Sequence, residues 1–390
     1  MNYKTNIPYF VATMTATAIF AIPLTTNASL VPTDLDTFQA RPPIHALAGT
    51  SFVPQGISPS DVKAAYHLPT TGGSGTIAII SAFHHSQIEN DLAAFDTAFA
   101  LPQCTIQNKC LEIHNMSTVN RTDSGWDEET ALDTEWSHAI APKAKILVVE
   151  AASDNGTSLL KALDFATSRA DVIAISMSWG GTEFPGETKL ESHFSGKNKK
   201  LAFFASSGDD GAGVSWPASA LNVISVGGTQ LILNKTKSKS GKISVAVASE
   251  KAWTGSGGGV SAYEPAPAYQ SDYAVPRSGN MRAIPDVSYA ADPMYGFSVY
   301  HSANSSNASG PKSWYVIGGT SAGAPQWAAI HALGKSVSLD ALYRDKAAAN
   351  NSSFFRDIIS GKNGTCAYYC TARKRYDYVT GLGSPVTWKF

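Results

Sequence analysis

Short, continuous apolar runs alternate with helical segments in the middle of this chain, and this alternation constrains the fold more than any other feature. The helical segments span residues 86–99 and 157–169. A strand that is apolar along its whole length is buried on both faces, which requires helices above and below the sheet. The sequence therefore predicts an α/β fold with a doubly wound, mostly parallel sheet and helices on both faces. The predicted strands are 76–81, 145–151, 172–176, 201–205 and 222–226.

The composition is that of a folded chain without a strong charge preference. Of the 390 residues, 43% are hydrophobic and only 16% are charged, which allows a sizeable core. The net charge of −1 offers no electrostatic attraction for nucleic acid or for an anionic membrane. We therefore expect neither as a partner.

The N-terminus has the pattern of a secretory signal at residues 1–28. Lys4 is followed by an uncharged, largely apolar stretch and then by small residues at 26–28. A transmembrane anchor is the alternative, but Pro23 and the absence of stop-transfer charges disfavour it. We expect a secreted protein, extracellular or periplasmic, with no membrane anchor after signal removal.

Two further regions follow the predicted signal. Residues 29–55 are rich in proline, threonine and alanine and predict a flexible leader. Residues 29–55 are too few to form a folded domain of their own. Residues 56–390 predict a single globular domain, because neither an internal repeat nor a linker interrupts them.

Four cysteines support export to an oxidising compartment. Cys104 and Cys110 are close in sequence, as are Cys366 and Cys370. Four cysteines allow three pairings, of which the two local disulfides are the simplest. A zinc site is the alternative, but the spacing and the lack of clustered histidines disfavour it.

Ser321 lies where a predicted strand meets a predicted helix. Residues 313–317 are rich in β-branched and aromatic residues, and the alanine-rich run that begins near residue 322 is helical in pattern. Small residues between them let the backbone turn sharply, with amide groups and the helix dipole near the hydroxyl. Such a position suits a nucleophile, because developing negative charge is stabilised there. The alternative is an ordinary serine N-cap.

The predicted helix at 126–140 carries two acids on its apolar face. At 100° per residue, Glu129 and Asp133 share a side with Trp126 and Trp136. A solvated acidic face would place the acids away from the apolar side chains. Burial and mutual repulsion should therefore make the two carboxyls titrate as a coupled pair.

A third acid follows a strand end. Asp209 lies just beyond the predicted strand 201–205, at the edge where open α/β sheets place their functional sites. An ordinary turn aspartate is the alternative.

Together these residues resemble the sedolisin family of serine-carboxyl peptidases, which are relatives of the subtilisins. Residues 129–133 resemble the family's Glu-x-x-Leu-Asp helix, 207–209 its oxyanion loop and 319–325 its nucleophile turn. The resemblance extends from about residue 56 to the C-terminus and implies a subtilisin-like α/β fold. Members of that family usually carry a large folded propeptide before this domain, and we expect residues 29–55 to contain no full-length propeptide domain. Further matching segments are 176–180, 257–261, 285–288, 291–293 and 380–385.

The resemblance implies a secreted serine-type endopeptidase that hydrolyses protein or peptide substrates at acidic pH through an acyl-enzyme. Ser321 would be the nucleophile, Glu129 the general base, and Asp133 the group that orients Glu129. Asp209, kept protonated, would donate a hydrogen bond to the oxyanion. Carboxyl groups suit acidic pH, where a histidine base is protonated. We expect the protein to act as a monomer.

The resemblance also assigns substrate binding to Ser178, Trp179 and Gly180, although Trp179 has the alternative of an ordinary core residue. It further implies one Ca2+ ion near the C-terminus. The ligands would be the side chains of two aspartates and three backbone carbonyls, where Arg373 and Arg375 replace the family's glycines. The complete set is Asp357, Ile358, Arg373, Arg375 and Asp377. Nearby positive charge predicts weakened affinity, and an acid–arginine cluster without metal is the alternative.

Two other functions remain open at this level. A subtilisin-type Ser-His-Asp protease needs a histidine near the first strands, and His84 and His85 follow the strand at 76–81 without the surroundings typical of that site. An inactive secreted binding protein on a peptidase scaffold is the second alternative. The presence of all four proposed catalytic residues argues against it.

Overall fold

An eight-stranded sheet lies at the centre of the computed structural model, which describes residues 32–47, 51–241, 243–302, 312–334, 337–347 and 353–390. The predicted signal at 1–28 is outside these residues. The strands of the sheet are β1 (Thr76–Ala82), β2 (Leu111–Asn115), β3 (Lys145–Ala151), β4 (Val172–Met177), β5 (Ala202–Ser206), β6 (Val223–Lys237), β7 (Ile243–Ala252) and β8 (Val287–Ala290).

The sheet is mostly parallel, as the sequence predicts. Its strand order is β7-β6-β5-β4-β1-β3-β2, and β8 pairs with β6. Only β6 and β7 run antiparallel, forming a long hairpin that extends past the parallel part. The predicted strand at 222–226 is thus the first part of a longer strand. The doubly wound α/β class is confirmed.

In the described part of the chain the α-helices are α1 (Pro59–Ala65), α2 (Ile88–Phe99), α3 (Ser124–Ile140), α4 (Gly156–Thr167), α5 (Ala268–Tyr273) and α6 (Gly323–Ala332). Alternate residues of β1 enter two separate cores: Ile77 and Ile79 join one, Ala78 and Ile80 the other. The first core includes side chains of α2, α3 and α6, and the second includes those of α4. Helices therefore cover both faces of the sheet.

A smaller antiparallel sheet leads into the serine turn. It contains β9 (Phe297–Ser302), β10 (Lys312–Gly318) and the two-residue strand His45–Ala46, which pairs with β10. A 3₁₀ turn, Thr320–Ala322, connects β10 to α6. The remaining short strands are Gly181–Thr182, Ser215–Trp216, Gly259–Pro265, Met281–Ile284, Phe355–Arg356 and Ser384–Pro385.

The two local disulfides, Cys104–Cys110 and Cys366–Cys370, are formed. The only described group of three side chains placed to hold a metal is Cys104, Cys110 and His138, and its cysteines are consumed by the disulfide. Within the described residues, no helix combines the length and the apolarity that crossing a bilayer requires.

Part of the predicted leader differs from the expectation of a flexible segment. Phe38 and Ala40 are fully buried, and Phe38 packs edge-on against Trp216. Thr157 at the start of α4 donates a hydrogen bond to Asp36. Aromatic burial of this kind stabilises by about 2 kcal/mol per side chain, enough to hold a short segment in place. Residues 36–46 therefore pack against the domain, whereas the sequence pattern predicts a flexible leader there.

Candidate active site

Ser321 lies in the 3₁₀ turn between β10 and α6, with its side chain fully buried. Its hydroxyl has no hydrogen-bond partner among the described residues. The N-cap of α6 is Ala322, and no side chain caps that helix. The serine is therefore not an ordinary helix cap, and its hydroxyl is free for other chemistry.

Gly319 lets the backbone make this turn. Its φ of +121° lies in a region that side-chain-bearing residues rarely adopt. A Cβ at this position would also lie 2.2 Å from the carbonyl oxygen of Pro43 and 2.5 Å from Oδ2 of Asp209. Only glycine allows the chain to approach both groups this closely.

The two acids of α3 are buried together, as predicted from the sequence. Glu129 is 2% exposed and Asp133 is 1% exposed. The hydroxyl of Ser178, just after β4, donates a 2.7 Å hydrogen bond to Oδ1 of Asp133 and lies 3.2 Å from the carbonyl oxygen of Ser321. Ser178 therefore joins the acidic helix to the serine turn.

The electrostatics of the pair favour protonation. Burial, followed by repulsion from Asp133, raises the pKa of Glu129 well above its ordinary value. Burial also raises the pKa of Asp133, and the hydrogen bond from Ser178 opposes this rise. Ser321 acts on Glu129 in the opposite sense, lowering its pKa. Glu129 therefore has Asp133 on one side and the serine hydroxyl on the other, without a well-aligned hydrogen bond to either.

The helix α3 is buried on more sides than its sequence pattern predicts. At 100° per residue, Glu135 and His138 lie away from the apolar face, which predicts that they are accessible, yet both are fully buried. Glu135 accepts a hydrogen bond from the amide of Tyr300, and His138 contacts the carbonyl of Pro102. Tertiary packing from α2 and β9 covers these faces.

Asp209 lies three residues after the end of β5, and its side chain is 5% exposed. Its Oδ1 accepts hydrogen bonds from the amide and the hydroxyl of Thr320, at 2.8 and 2.7 Å. Burial raises the pKa of Asp209, and contacts with His45 and Thr320 oppose the rise. With Oδ1 engaged by Thr320, the second oxygen, Oδ2, faces the serine turn and the leader.

The leader crosses this site in an extended conformation. Arg41 pairs with Gly180, exchanging two backbone hydrogen bonds of 3.0 and 3.1 Å. His45 pairs with Gly318, and its Nε2 lies 3.2 Å from Oδ2 of Asp209. The segment between them, residues 42–44, therefore lies over the serine turn. Sequence patterns gave no signal for this contact, because the leader has no periodicity.

The three residues predicted to bind substrate have different environments. Gly180 offers its backbone to an extended strand, as the pairing with Arg41 demonstrates. Ser178 instead contacts Asp133. Trp179 is fully buried and donates its indole N–H to the carbonyl of Ile80, so it is a core residue here.

Neither histidine considered for a Ser-His-Asp site contacts Ser321. His84 bonds to Glu150 at 2.7 Å. His85 lies 3.5 Å from Asp91. Among the described residues the acids of α3, not an imidazole, are the titratable groups next to the serine.

The residues expected to bind calcium have several features that fit a cation. Oδ1 of Asp357 is buried without a partner, and burial raises the pKa of Asp377 to about 7. Within the described residues, no backbone hydrogen bond ends on the carbonyls of Ile358, Arg373 or Arg375. These are an oxygen donor set of the kind Ca2+ prefers.

The arginines of this loop contact the two aspartates through their backbone amides. The backbone amides of Arg373 and Arg375 donate to Asp377 and Asp357, each at 2.9 Å. The guanidinium of Arg373 lies over the ring of Tyr368. Arg375 keeps a left-handed φ of +70°, which a non-glycine residue tolerates at some cost. Arg375 therefore adopts a backbone conformation that is typical of glycine.

Comparison with known proteins agrees with this geometry. The family described as "Subtilase family" matches residues 113–350, and the chain belongs to this family. Kumamolisin from Bacillus sp. (strain MN-32) is 29% identical over 86% of this chain and 63% of its own length. Sedolisin from Pseudomonas sp. (strain 101) is 27% identical over 86% of this chain and 60% of its own length.

The similarity extends to three dimensions. The structure of Pseudomonas sedolisin, a serine-carboxyl proteinase complexed with two molecules of pseudo-iodotyrostatin, superposes with a TM-score of 0.66 at 25% identity. The match covers 86% of this chain and 96% of that one. The resemblance to the sedolisin family is therefore confirmed. The chain spans about three-fifths of the length of the curated relatives that it matches.

Because the two carboxyls are buried, we expect the folded protein to become less stable as pH rises. In the unfolded chain these groups titrate near pH 4, whereas burial raises the pKa of Asp133 in the folded protein to about 7. Between these values the folded state binds more protons, so the free energy of unfolding decreases as pH rises. We expect Glu129→Gln to raise Tm at pH 7 by a few degrees and to change it little at pH 4.

The matched control is Asp272→Asn, which changes an exposed carboxyl on α5. Thermal unfolding of the three proteins at both pH values measures the effect. A lower Tm for Glu129→Gln at pH 7 would contradict the assignment of a costly buried pair.

Proposed function

We propose that this protein is a serine-type endopeptidase of the sedolisin type, secreted from the cytoplasm and acting as a monomer on protein or peptide substrates in acid. The observation that carries the proposal is the convergence of one free serine hydroxyl and three buried carboxyls from separate parts of the sequence. These four residues are Glu129, Asp133, Asp209 and Ser321. Buried acids whose pKa values are raised and that lie around a hydroxyl without a hydrogen-bond partner are typical of catalytic sites. A surface that only binds other molecules rarely has this arrangement.

In this proposal Glu129 accepts the proton of Ser321 as the oxygen attacks the peptide carbonyl, and later returns it to the leaving amine. Asp133 shares a proton with Glu129 and is itself held by Ser178. Protonated Oδ2 of Asp209 donates a hydrogen bond to the oxyanion. This donor exists only below the pKa of Asp209, so the rate should decrease as pH rises through that value.

The path of the leader supports a cleft that binds extended peptides. Arg41 adds to Gly180 as a strand, which is the main-chain mode of peptide recognition. Two residues later, the carbonyl of Pro43 lies against Gly319, and Oδ2 of Asp209 lies against the same glycine. A substrate carbonyl in the same position would have the proposed oxyanion donor beside it.

The test of function compares wild type with Ser321→Ala on an unfolded protein substrate between pH 3 and 7. We expect the loss of the nucleophile to decrease cleavage by about a thousandfold or more. Asp209→Ala should decrease kcat by about 10²- to 10³-fold, whereas Asp209→Asn should keep activity to higher pH, because an amide donates at every pH.

Three results would contradict this proposal or a part of it. Equal cleavage by wild type and Ser321→Ala would reject the proposed function. Superimposable pH profiles for wild type and Asp209→Asn would reject only the role of Asp209. Loss of wild-type rate below about pH 6 would indicate a histidine base instead.

We also propose that the leader competes with substrate while it lies in the cleft. Arg41→Pro removes the amide that donates to Gly180, whereas Arg41→Ala keeps it. We expect Arg41→Pro to raise the initial rate on a short peptide severalfold, and Arg41→Ala to leave it near wild type. The measurement is the initial rate of peptide hydrolysis by each full-length protein, taken before any self-cleavage. Equal rates in all three proteins would show that the leader does not block the site.

We further propose that one Ca2+ ion joins Asp357 and Asp377 through their carboxylates and the carbonyls of Ile358, Arg373 and Arg375. Its affinity should be weakened by the three neighbouring positive charges at 373–375. We expect millimolar Ca2+ to raise Tm in wild type and chelator to lower it, with neither effect in Asp377→Asn. Absence of bound metal together with no chelator effect in wild type would end the calcium proposal.

A further inference from the structure

The chain contains more N-linked glycosylation motifs than its composition predicts. Ten of its 17 asparagines are followed by a residue other than proline and then by serine or threonine. Serine and threonine together are 74 of the 390 residues, so about three such motifs would arise by chance. The motifs begin at Asn27, Asn115, Asn120, Asn155, Asn234, Asn304, Asn307, Asn350, Asn351 and Asn363.

The structure separates these motifs by accessibility. Asn234 and Thr236 are both exposed near the tip of the β6–β7 hairpin. Asn120 and Thr122 are exposed in the loop that leads into α3. A glycan on either asparagine would extend directly into solvent, which is what this bulky, polar modification requires.

Asn363 has the same motif but the opposite environment. It is 5% exposed, and its Nδ2 donates a 2.7 Å hydrogen bond to the carbonyl of Ser256. The glycan would be attached to this same nitrogen, which is packed inside the fold. A chain modified there could not form the native structure.

We propose that Asn120 and Asn234 carry N-linked glycans and that Asn363 does not. In this transfer, Nδ2 of asparagine bonds to the anomeric carbon of an oligosaccharide held on a lipid diphosphate. The bond from that carbon to the diphosphate oxygen breaks, the lipid diphosphate leaves, and the amide proton passes to a base of the transferase. The proposal rests on entry into the secretory pathway, which is part of the proposed function.

The position of Asn234 also gives its glycan a physical role. The hairpin extends beyond the parallel sheet, and β7 is the terminal strand of the order, with Ile243 62% exposed. An exposed edge strand is a template for pairing with another chain. A glycan next to this edge, together with Lys235 and Lys237, would hinder such pairing.

The test uses the protein recovered from the medium of the cells that make it. Enzymatic removal of N-glycans in heavy-oxygen water converts each modified asparagine to labelled aspartate, which peptide mass spectrometry locates. We expect the label at Asn120 and Asn234 and unmodified asparagine at Asn363. Unmodified Asn120 and Asn234 in the secreted protein, or a glycan on Asn363, would overturn the proposal.

Paired variants made in the same cells sharpen the result. Thr236→Ala should lose the mass of one glycan, whereas Thr236→Ser, which preserves the motif, should keep it. Asn90→Gln, at an exposed asparagine outside any motif, should leave the mass of the attached glycans unchanged. Peptidase activity of the wild-type sample is read in parallel, so that an inactive but glycosylated protein fails only the proposed function.

Discussion

Two carboxyl groups buried four residues apart on α3 cost the folded state free energy, because each loses hydration and each repels the ionised form of the other. Glu129 and Asp133 tolerate this burial because the pair keeps a proton and because Ser178 donates to Asp133. The same contact reaches the carbonyl of Ser321. The hydroxyl of Ser178 therefore both stabilises the acidic pair and helps to hold the serine turn in position.

The sheet supplies the framework for that solution. Ser178 follows β4 and Asp209 follows β5, so the carboxyl ends of two neighbouring parallel strands deliver both groups to the same edge. The serine turn, which connects β10 to α6, lies at the same edge. Thr320 then fixes Asp209 with two hydrogen bonds, which leaves the other carboxyl oxygen facing the cleft. The strands and the helix that flank these groups therefore determine where the groups lie.

In contrast to the strands of the sheet, the leader takes its conformation from the surface against which it packs. Arg41 and His45 adopt extended backbone by pairing with Gly180 and Gly318, and Phe38 is anchored in an aromatic pocket. Nothing in residues 36–46 alone favours a strand, because two consecutive prolines at 42 and 43 interrupt the segment. The segment is therefore held by a few backbone hydrogen bonds together with the burial of Phe38.

The sequence by itself determined the fold class, the strand–helix position of Ser321 and the placement of Glu129 and Asp133 on an apolar helix face, because these follow from periodicity within about 15 residues. Only the tertiary structure decided that Ser178 holds Asp133 and that His45 reaches Asp209. It also decided that Glu135 and His138 are buried, and that Trp179 is a core residue. These contacts join residues between 36 and 165 positions apart, and local pattern carries no information about which distant surfaces meet. Packing of separate elements, not propensity, brings them together.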